Sequence, residues 1–279
     1  MTDREQVAAA GGTVVYVHGA SDRQRGVDEH VARIEASLAR RGSRMRVLAA
    51  RWGDEAGPDL KTVCHALPDS EAVDACPDQA RIGTMRSWIH VVAAAAVVLQ
   101  YLHKGVPRRV GVWATDRLRS RREAWMQEIL GVADALAYQR DGAAIQAVVR
   151  STLQGGAERR PLVAIGNSLG GIILFDALRL PDMPRPDLFV TVGSQAPVLR
   201  TIHALGDDEP PPFQPWLNIY DPRDFFAFVA ERVWPAESGI VDRRVDLGLG
   251  FPAVHGPAYL SDPTVFDAIF EHPALAGPP

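Results

Sequence analysis

One serine sits in a frame of small residues: Gly166, Asn167, Ser168, Leu169 and Gly170. A serine hydroxyl alone is a weak nucleophile. It becomes a strong one when a neutral histidine takes its proton and a carboxylate holds that histidine in the right tautomer. Backbone N–H groups must also receive the negative charge that forms on the attacked carbonyl. Glycine two residues to either side of a serine has a mechanical meaning where a strand passes directly into a helix. The chain reverses sharply there, the hydroxyl is left exposed, and neighbouring backbone comes too close for a Cβ. The stretch PLVAIGN before Ser168 reads as a strand and LGGIILFDALRL after it as a helix. The N-terminal N–H groups of that helix would point at a developing oxyanion. The competing reading is a glycine-rich turn with an incidental serine.

The rest of the chain offers the remaining parts. One oxyanion donor is expected from Leu169, the residue after the serine, and the second from the loop in YVHGAS. There Ala20 is the first candidate and Gly19 the second. His18 is read as holding that loop rather than as a base. The acid is expected after the serine, at the end of a strand, and NIYDPRDFFAF offers Asp221 and Asp224. Asp221 directly precedes proline and suits the start of a turn, so Asp224 is preferred. The base must be neutral at rest and charged in passing, which selects histidine. After Asp224 only His255 and His272 remain. His272 ends the last helix and suits capping of its carbonyls, whereas His255 lies in the loop FPAVHGPAYL. The expected set is Ser168, Asp224 and His255, with Leu169, Ala20 and Gly19 at the oxyanion and Gly166, Asn167 and Gly170 supporting the turn.

Positioning these residues requires a sheet whose strands end together. GGTVVYVHG (11–19) and RMRVLAARWGD (44–54) read as strands, with VDEHVARIEASLARRG (27–42) as a helix between them. Strand, helix, strand in that rhythm predicts a parallel sheet. A helix over 143–156 precedes the serine's strand, and further strands are expected at 187–194, 215–222 and 238–248. A helix is expected near 224–232 and another over 262–272, with Asp262 as its N-cap and Pro263 at its first position. Between these segments, about 55–140 breaks the rhythm and reads as a mostly helical insertion, with one weak strand candidate at 110–114. The expected whole is a single domain: a doubly wound, mostly parallel α/β sheet with a helical insertion or lid.

Composition narrows the classes. The chain has 279 residues, 47% of them hydrophobic, and a net charge of −4, which suits a globular α/β protein and gives no footprint for nucleic acid. The arginines of RLRSRR (117–122) read as a solvated helix face. Cys64 and Cys76 have no metal-ligand neighbours and are expected as free thiols, and the first residues lack the apolar core of a secretory signal, so a cytoplasmic location is expected. No metal or cofactor is implied. WIHVVAAAAVVLQYL (88–102) is apolar nearly all round but too short to span a bilayer. It reads as a buried helix, or more sharply as a lid or membrane-surface helix beside an acyl pocket.

At this point the chain resembles the α/β-hydrolase superfamily, and more narrowly bacterial serine hydrolases of the lipase and esterase type. The segments that carry the resemblance are YVHGAS, RWGD, GVADALAYQRD, VAIGNSLGGII, FVTVGSQAP, WLNIYDPRDFFAFVA and FPAVHGPAYLSDPTVFDAI. The resemblance implies Ser168 as nucleophile, Asp224 as acid and His255 as base, in the chain order of that fold. It also implies a small-molecule or lipid acyl ester, or a thioester, as substrate. One position departs: many relatives carry histidine before the serine, where this chain has Asn167. An acyltransferase on the same triad, or a catalytically silent scaffold that binds a ligand or partner, is the alternative.

Overall fold

The computed structural model describes residues 11–20, 22–57, 122–201, 215–224, 227–234, 238–248 and 258–275, the side chains of 122–132, 141 and 198 excepted. The 88–102 stretch, the 110–114 candidate, Cys64 and Cys76 lie outside them. So do residues 117–121 of the arginine run and most of the expected insertion.

Six strands form one sheet: β1 (Thr13–Val17), β2 (Arg46–Ala50), β3 (Leu162–Asn167), β4 (Leu188–Val192), β5 (Trp216–Tyr220) and β6 (Ile240–Arg244). They run in the order β2-β1-β3-β4-β5-β6, and every neighbouring pair is parallel. Among the described residues the sheet is wholly parallel, in keeping with the expected α/β architecture. Strands β1, β3 and β4 are buried along their whole length, which is why they read as continuous apolar runs. The edge strand β6 carries Asp242, Arg243 and Arg244, charges that discourage pairing with a further strand.

Side chains alternate between two helical layers. Val14 and Tyr16 of β1 face α1 (Gln24–Arg40) and α6 (Pro263–Phe270), in a core that includes Ile34, Leu38, Phe266 and Ile269. Val15 and Val17 face the other way, into a core with Ile145, Val149, Leu153, Ile173 and Phe175. That second layer is built by α3 (Arg122–Gly156) and α4 (Leu169–Leu178). Two short helices complete the described set: α2 (Trp52–Glu55) follows β2 and α5 (Ala196–Thr201) follows β4.

Three local outcomes bear on the site. The helix expected at 143–156 begins much earlier, because α3 runs unbroken from Arg122; the ring of Tyr138 lies against Gly142, where a Cβ would stand 3.0 Å from it. Its last turns lie against β1. Helix α4 is apolar all round because α3 covers its outer side, and the one acid there, Asp176, accepts a 2.6 Å hydrogen bond from the Tyr138 hydroxyl. The helix expected near 224–232 is not formed by its described residues, which run as turns. Long-range partners take the backbone groups a helix would use. Asp242 accepts the N–H groups of Ala230 and Glu231, and Asn218 donates to the Phe228 carbonyl. The C-terminal helix starts as expected, with the Asp262 side chain accepting the Thr264 N–H at 2.8 Å and Pro263 at the first position.

Candidate active site

The chain steps outward from β1 to β2, then returns across β1 to lay down β3 on its other side. In a parallel sheet this reversal opens a crevice at the carboxyl ends of the two strands, the usual place for a ligand. Ser168 stands there. Strand β3 ends at Asn167 and α4 begins at Leu169, so one residue makes the whole reversal. Ser168 takes φ 52° and ψ −121°, and among the described residues no other non-glycine has positive φ. Such a conformation costs about 1–3 kcal/mol and persists only when its surroundings enforce it. Here the Ser168 N–H donates to the Val192 carbonyl and the Gly171 N–H donates to the Ser168 carbonyl, both at 2.9 Å. A Cβ on Gly170 would stand 2.2 Å from the Val17 carbonyl oxygen, and one on Gly166 would stand 2.5 Å from the Gly171 Cα. The two flanking glycines therefore let β1, β3 and α4 meet under the serine. Leu169 supplies one of the first N–H groups of α4, which by position have no intrahelical acceptor.

The loop after β1 is fixed from several sides. His18 is fully buried and stacks on Trp52 with ring centroids 4.6 Å apart. Its Nδ1–H donates to the Gly19 carbonyl at 2.8 Å, and its Nε2 accepts the Gly53 N–H at 3.2 Å. Burial lowers its pKa to about 3, so the ring is neutral with both nitrogens engaged. Gly19 lies against the elbow: a Cβ there would be 3.3 Å from both the Asn167 carbonyl and the Ser168 Cβ. Its N–H donates to the Asp22 carboxyl group, which directs that donor away from a carbonyl seated over Ser168. Further along the loop, Arg23 makes a two-pronged bond to Asp134 of α3 at 2.9 and 3.1 Å, with both side chains buried. The same guanidinium donates to the Asp22 carbonyl. A fork-on-carboxylate pair of this kind fixes geometry as well as charge.

Asn167 turns inward rather than toward the crevice. It donates to the Tyr16 hydroxyl, which is hydrogen bonded to His30 Nδ1 at 2.8 Å. Asp22 approaches the same His30 nitrogen at 3.6 Å. Burial raises the Asp22 pKa to about 7 and lowers that of His30 to about 4, so between about pH 4 and 7 both are uncharged and the pair is not ionic. Asn167 is thus one end of a buried polar chain running from the elbow to the β1 loop.

The two aspartates at the end of β5 have different surroundings. Asp221 accepts the Arg223 N–H on one carboxylate oxygen and the Leu247 N–H on the other, tying the turn to the segment after β6. Asp224 is buried, and its Oδ2 accepts the Tyr259 hydroxyl at 3.0 Å. That hydroxyl also accepts the Asp221 N–H, so Tyr259 clamps both acids. Burial, and then the Asp224 charge, pushes the Tyr259 pKa well above the ordinary range. His255 lies outside the described residues. His272 differs from the carbonyl cap expected of it: its Nδ1 accepts the Ala274 N–H at 3.2 Å and so starts the turn after α6.

Gln195 was not picked out from sequence. Its Nε2 lies 3.4 Å from Ser168 Oγ and 3.1 Å from the Gly193 carbonyl. The available signal was its place just past the carboxyl end of a strand, in FVTVGSQAP. Tyr16, Asp22, His30 and Tyr259 carried no such signal, since each reads locally as core, turn or helix.

No family model matches the chain, and no curated protein matches it. Among solved structures, a chain described as RedJ with a PEG molecule bound in the active site is similar at 14% identity and a TM-score of 0.37. The alignment covers 96% of this chain and 90% of that one. Among the described residues there is no group of three or more His, Cys, Asp or Glu side chains that could hold a metal ion, and no helix long and apolar enough to cross a membrane.

Proposed function

We propose that the chain is a serine hydrolase of the α/β-hydrolase type that cleaves a carboxylic ester or thioester through an acyl-enzyme. The observation that carries this reading is the Ser168 backbone. A non-glycine residue held at φ 52° between a parallel strand and a helix, at the reversal point of the sheet, is strain of the kind a nucleophile elbow carries. In this reading His255 takes the Ser168 proton and Asp224, oriented by Tyr259, holds the imidazole. Oγ bonds to the acyl carbon while the carbonyl electron pair moves onto oxygen, where the N–H groups of Leu169 and Ala20 receive it. His255 then gives its proton to the departing alcohol or thiol, and water repeats the cycle on the acyl-enzyme. The preference for Asp224 over Asp221 is supported by the two backbone N–H groups that already occupy both Asp221 oxygens. The preference for Ala20 over Gly19 is supported by the Gly19 N–H being directed at Asp22.

The test is fluorophosphonate labelling, with mass-spectrometric mapping of the site, alongside p-nitrophenyl ester turnover. Wild-type protein is expected to label at Ser168 and to release nitrophenol, and Ser168→Ala is expected to lose both. Labelling that survives Ser168→Ala overturns the proposal. Product analysis with added alcohols separates water from an acyl acceptor as the second substrate.

A further inference from the structure

We propose that Gln195 is a further catalytic residue, donating a hydrogen bond to the nucleophilic oxygen of Ser168; the assignment rests on the hydrolase reading. The amide has two ends that differ only in oxygen and nitrogen, and the surroundings decide which is which. The Gly193 carbonyl 3.1 Å away can only accept, so the near end must be the nitrogen. One of its hydrogens is committed to Gly193. The geometry sends the other toward Ser168 Oγ at 3.4 Å.

The platform that holds Gln195 is stiff. Gly193 takes φ 57°, a conformation that favours glycine, and its N–H donates to the Ile219 carbonyl on β5 at 3.1 Å. The next residue, Ser194, accepts the Ala196 N–H on its hydroxyl at 3.2 Å. The turn after β4 is therefore tied to the neighbouring strand on one side and to α5 on the other. The amide is presented to the serine at little further conformational cost.

A donor aimed at Oγ acts on the nucleophile rather than on the substrate carbonyl. At rest it selects the Ser168 rotamer and leaves the hydroxyl proton pointing elsewhere, toward the base. As that proton leaves for the base and Oγ bonds to the acyl carbon, negative charge rises and then falls on Oγ. A contact that is long at rest tightens as the charge grows. The contribution falls on the rate of acylation. It is independent of acyl chain length, because no part of the acyl group touches the amide in this role.

The experiment measures the second-order rate of fluorophosphonate labelling at Ser168 across pH 6–9 in wild type, Gln195→Ala and Gln195→Glu, with thermal unfolding of each. Gln195→Ala is expected to label roughly tenfold more slowly, the size of one lost hydrogen bond. Gln195→Glu keeps the shape but replaces the donor with a carboxylate once ionised. Ionised throughout this pH range, the carboxylate repels the charge that grows on Oγ, so its rate is expected to fall below that of Gln195→Ala, while its unfolding temperature stays near that of wild type. Wild-type labelling with unchanged rates in both variants overturns the role of Gln195 and leaves the hydrolase reading standing. A Gln195→Glu deficit no larger than that of Gln195→Ala also overturns it. Absence of labelling in the wild type overturns both.

Discussion

Two chains of hydrogen bonds run through the interior, and they are built to different standards. The first crosses β4, β5 and β6. The Trp216 indole donates to Thr191, Thr191 donates to Asn218, and Asn218 donates to Asp242 and the Phe228 carbonyl, all at 2.7–2.9 Å. Asp242 in turn accepts the Ala230 and Glu231 N–H groups. Each side-chain nitrogen and oxygen along it has a partner. The second runs under the elbow through Asn167, Tyr16, His30 and Asp22, and it leaves Asn167 Oδ1 and His30 Nε2 buried without a partner among the described residues. A buried polar chain that is complete adds stability and rigidity, whereas one with gaps costs stability and calls for another explanation. The incomplete chain touches the strained serine and the β1 loop, and the complete one touches neither. That contrast separates the part of the interior that holds the fold from the part that sets the candidate site.

The contrast can be broken by mutation. The largest effect is expected in the complete chain. Asn218→Ala strands the Thr191 hydroxyl, the Phe228 carbonyl and one side of Asp242, and is expected to cost about 3 kcal/mol in urea unfolding. Fluorophosphonate labelling of Ser168 per folded molecule should stay unchanged. A labelling rate that falls with stability would show that the two chains are not separate.

The buried groups under the elbow and in the β1 loop should reveal themselves through pH. His18, lowered to about 3, and His30, lowered to about 4, are neutral in the folded protein at pH 5, while their unfolded counterparts near 6.5 are charged. The unfolded chain binds more protons there, so these two groups make stability rise with pH between about 4 and 6.5. Asp22 opposes them: raised to about 7, it keeps in the folded state a proton that the unfolded chain releases above 3.8. Two histidine protons against one carboxyl proton leave a net slope of about 1.4 kcal/mol per pH unit from this cluster. Urea midpoints followed from about pH 4.5 to 6 test it. Asp22→Asn is expected to steepen the rise by about one proton, and His30→Gln to flatten it by the same amount. Unchanged slopes in both variants would mean that these groups keep their ordinary protonation when folded.

The smallest effect on stability is expected from Tyr16→Phe, about 1 kcal/mol, since it removes one hydroxyl from a chain already incomplete. Its signature is the reverse of that of Asn218→Ala. Stability changes little, but labelling of Ser168 is expected to slow several-fold as Asn167 loses its inward anchor. A labelling rate equal to wild type would detach Asn167 from Ser168 and make the buried chain a matter of packing only.

Much of the fold was legible because its signals are short-range. The strands β1, β3 and β4 are apolar runs, since burial on both faces leaves no room for alternation, and the Asp262–Pro263 start of α6 is a local cap. The segment after Asp224 was not legible in the same way. Its composition suits a helix, but Asp242 and Asn218, remote in sequence, supply the partners that hold it in turns.

The candidate site divides along the same line. The sequence alone determined the spacing of Gly166, Ser168 and Gly170, the strand before and the helix after, because a one-residue reversal between them admits little else. Only the tertiary structure decided that Asn167 faces Tyr16, that Tyr259 bridges Asp221 and Asp224, that Arg23 meets Asp134, and that Gln195 reaches Ser168. The physical reason is distance along the chain. Steric limits on a turn act between adjacent residues and leave a pattern in the sequence. A buried hydrogen bond joins residues such as Arg23 and Asp134 that meet only after the strands have been ordered, and neither partner carries a mark of the other.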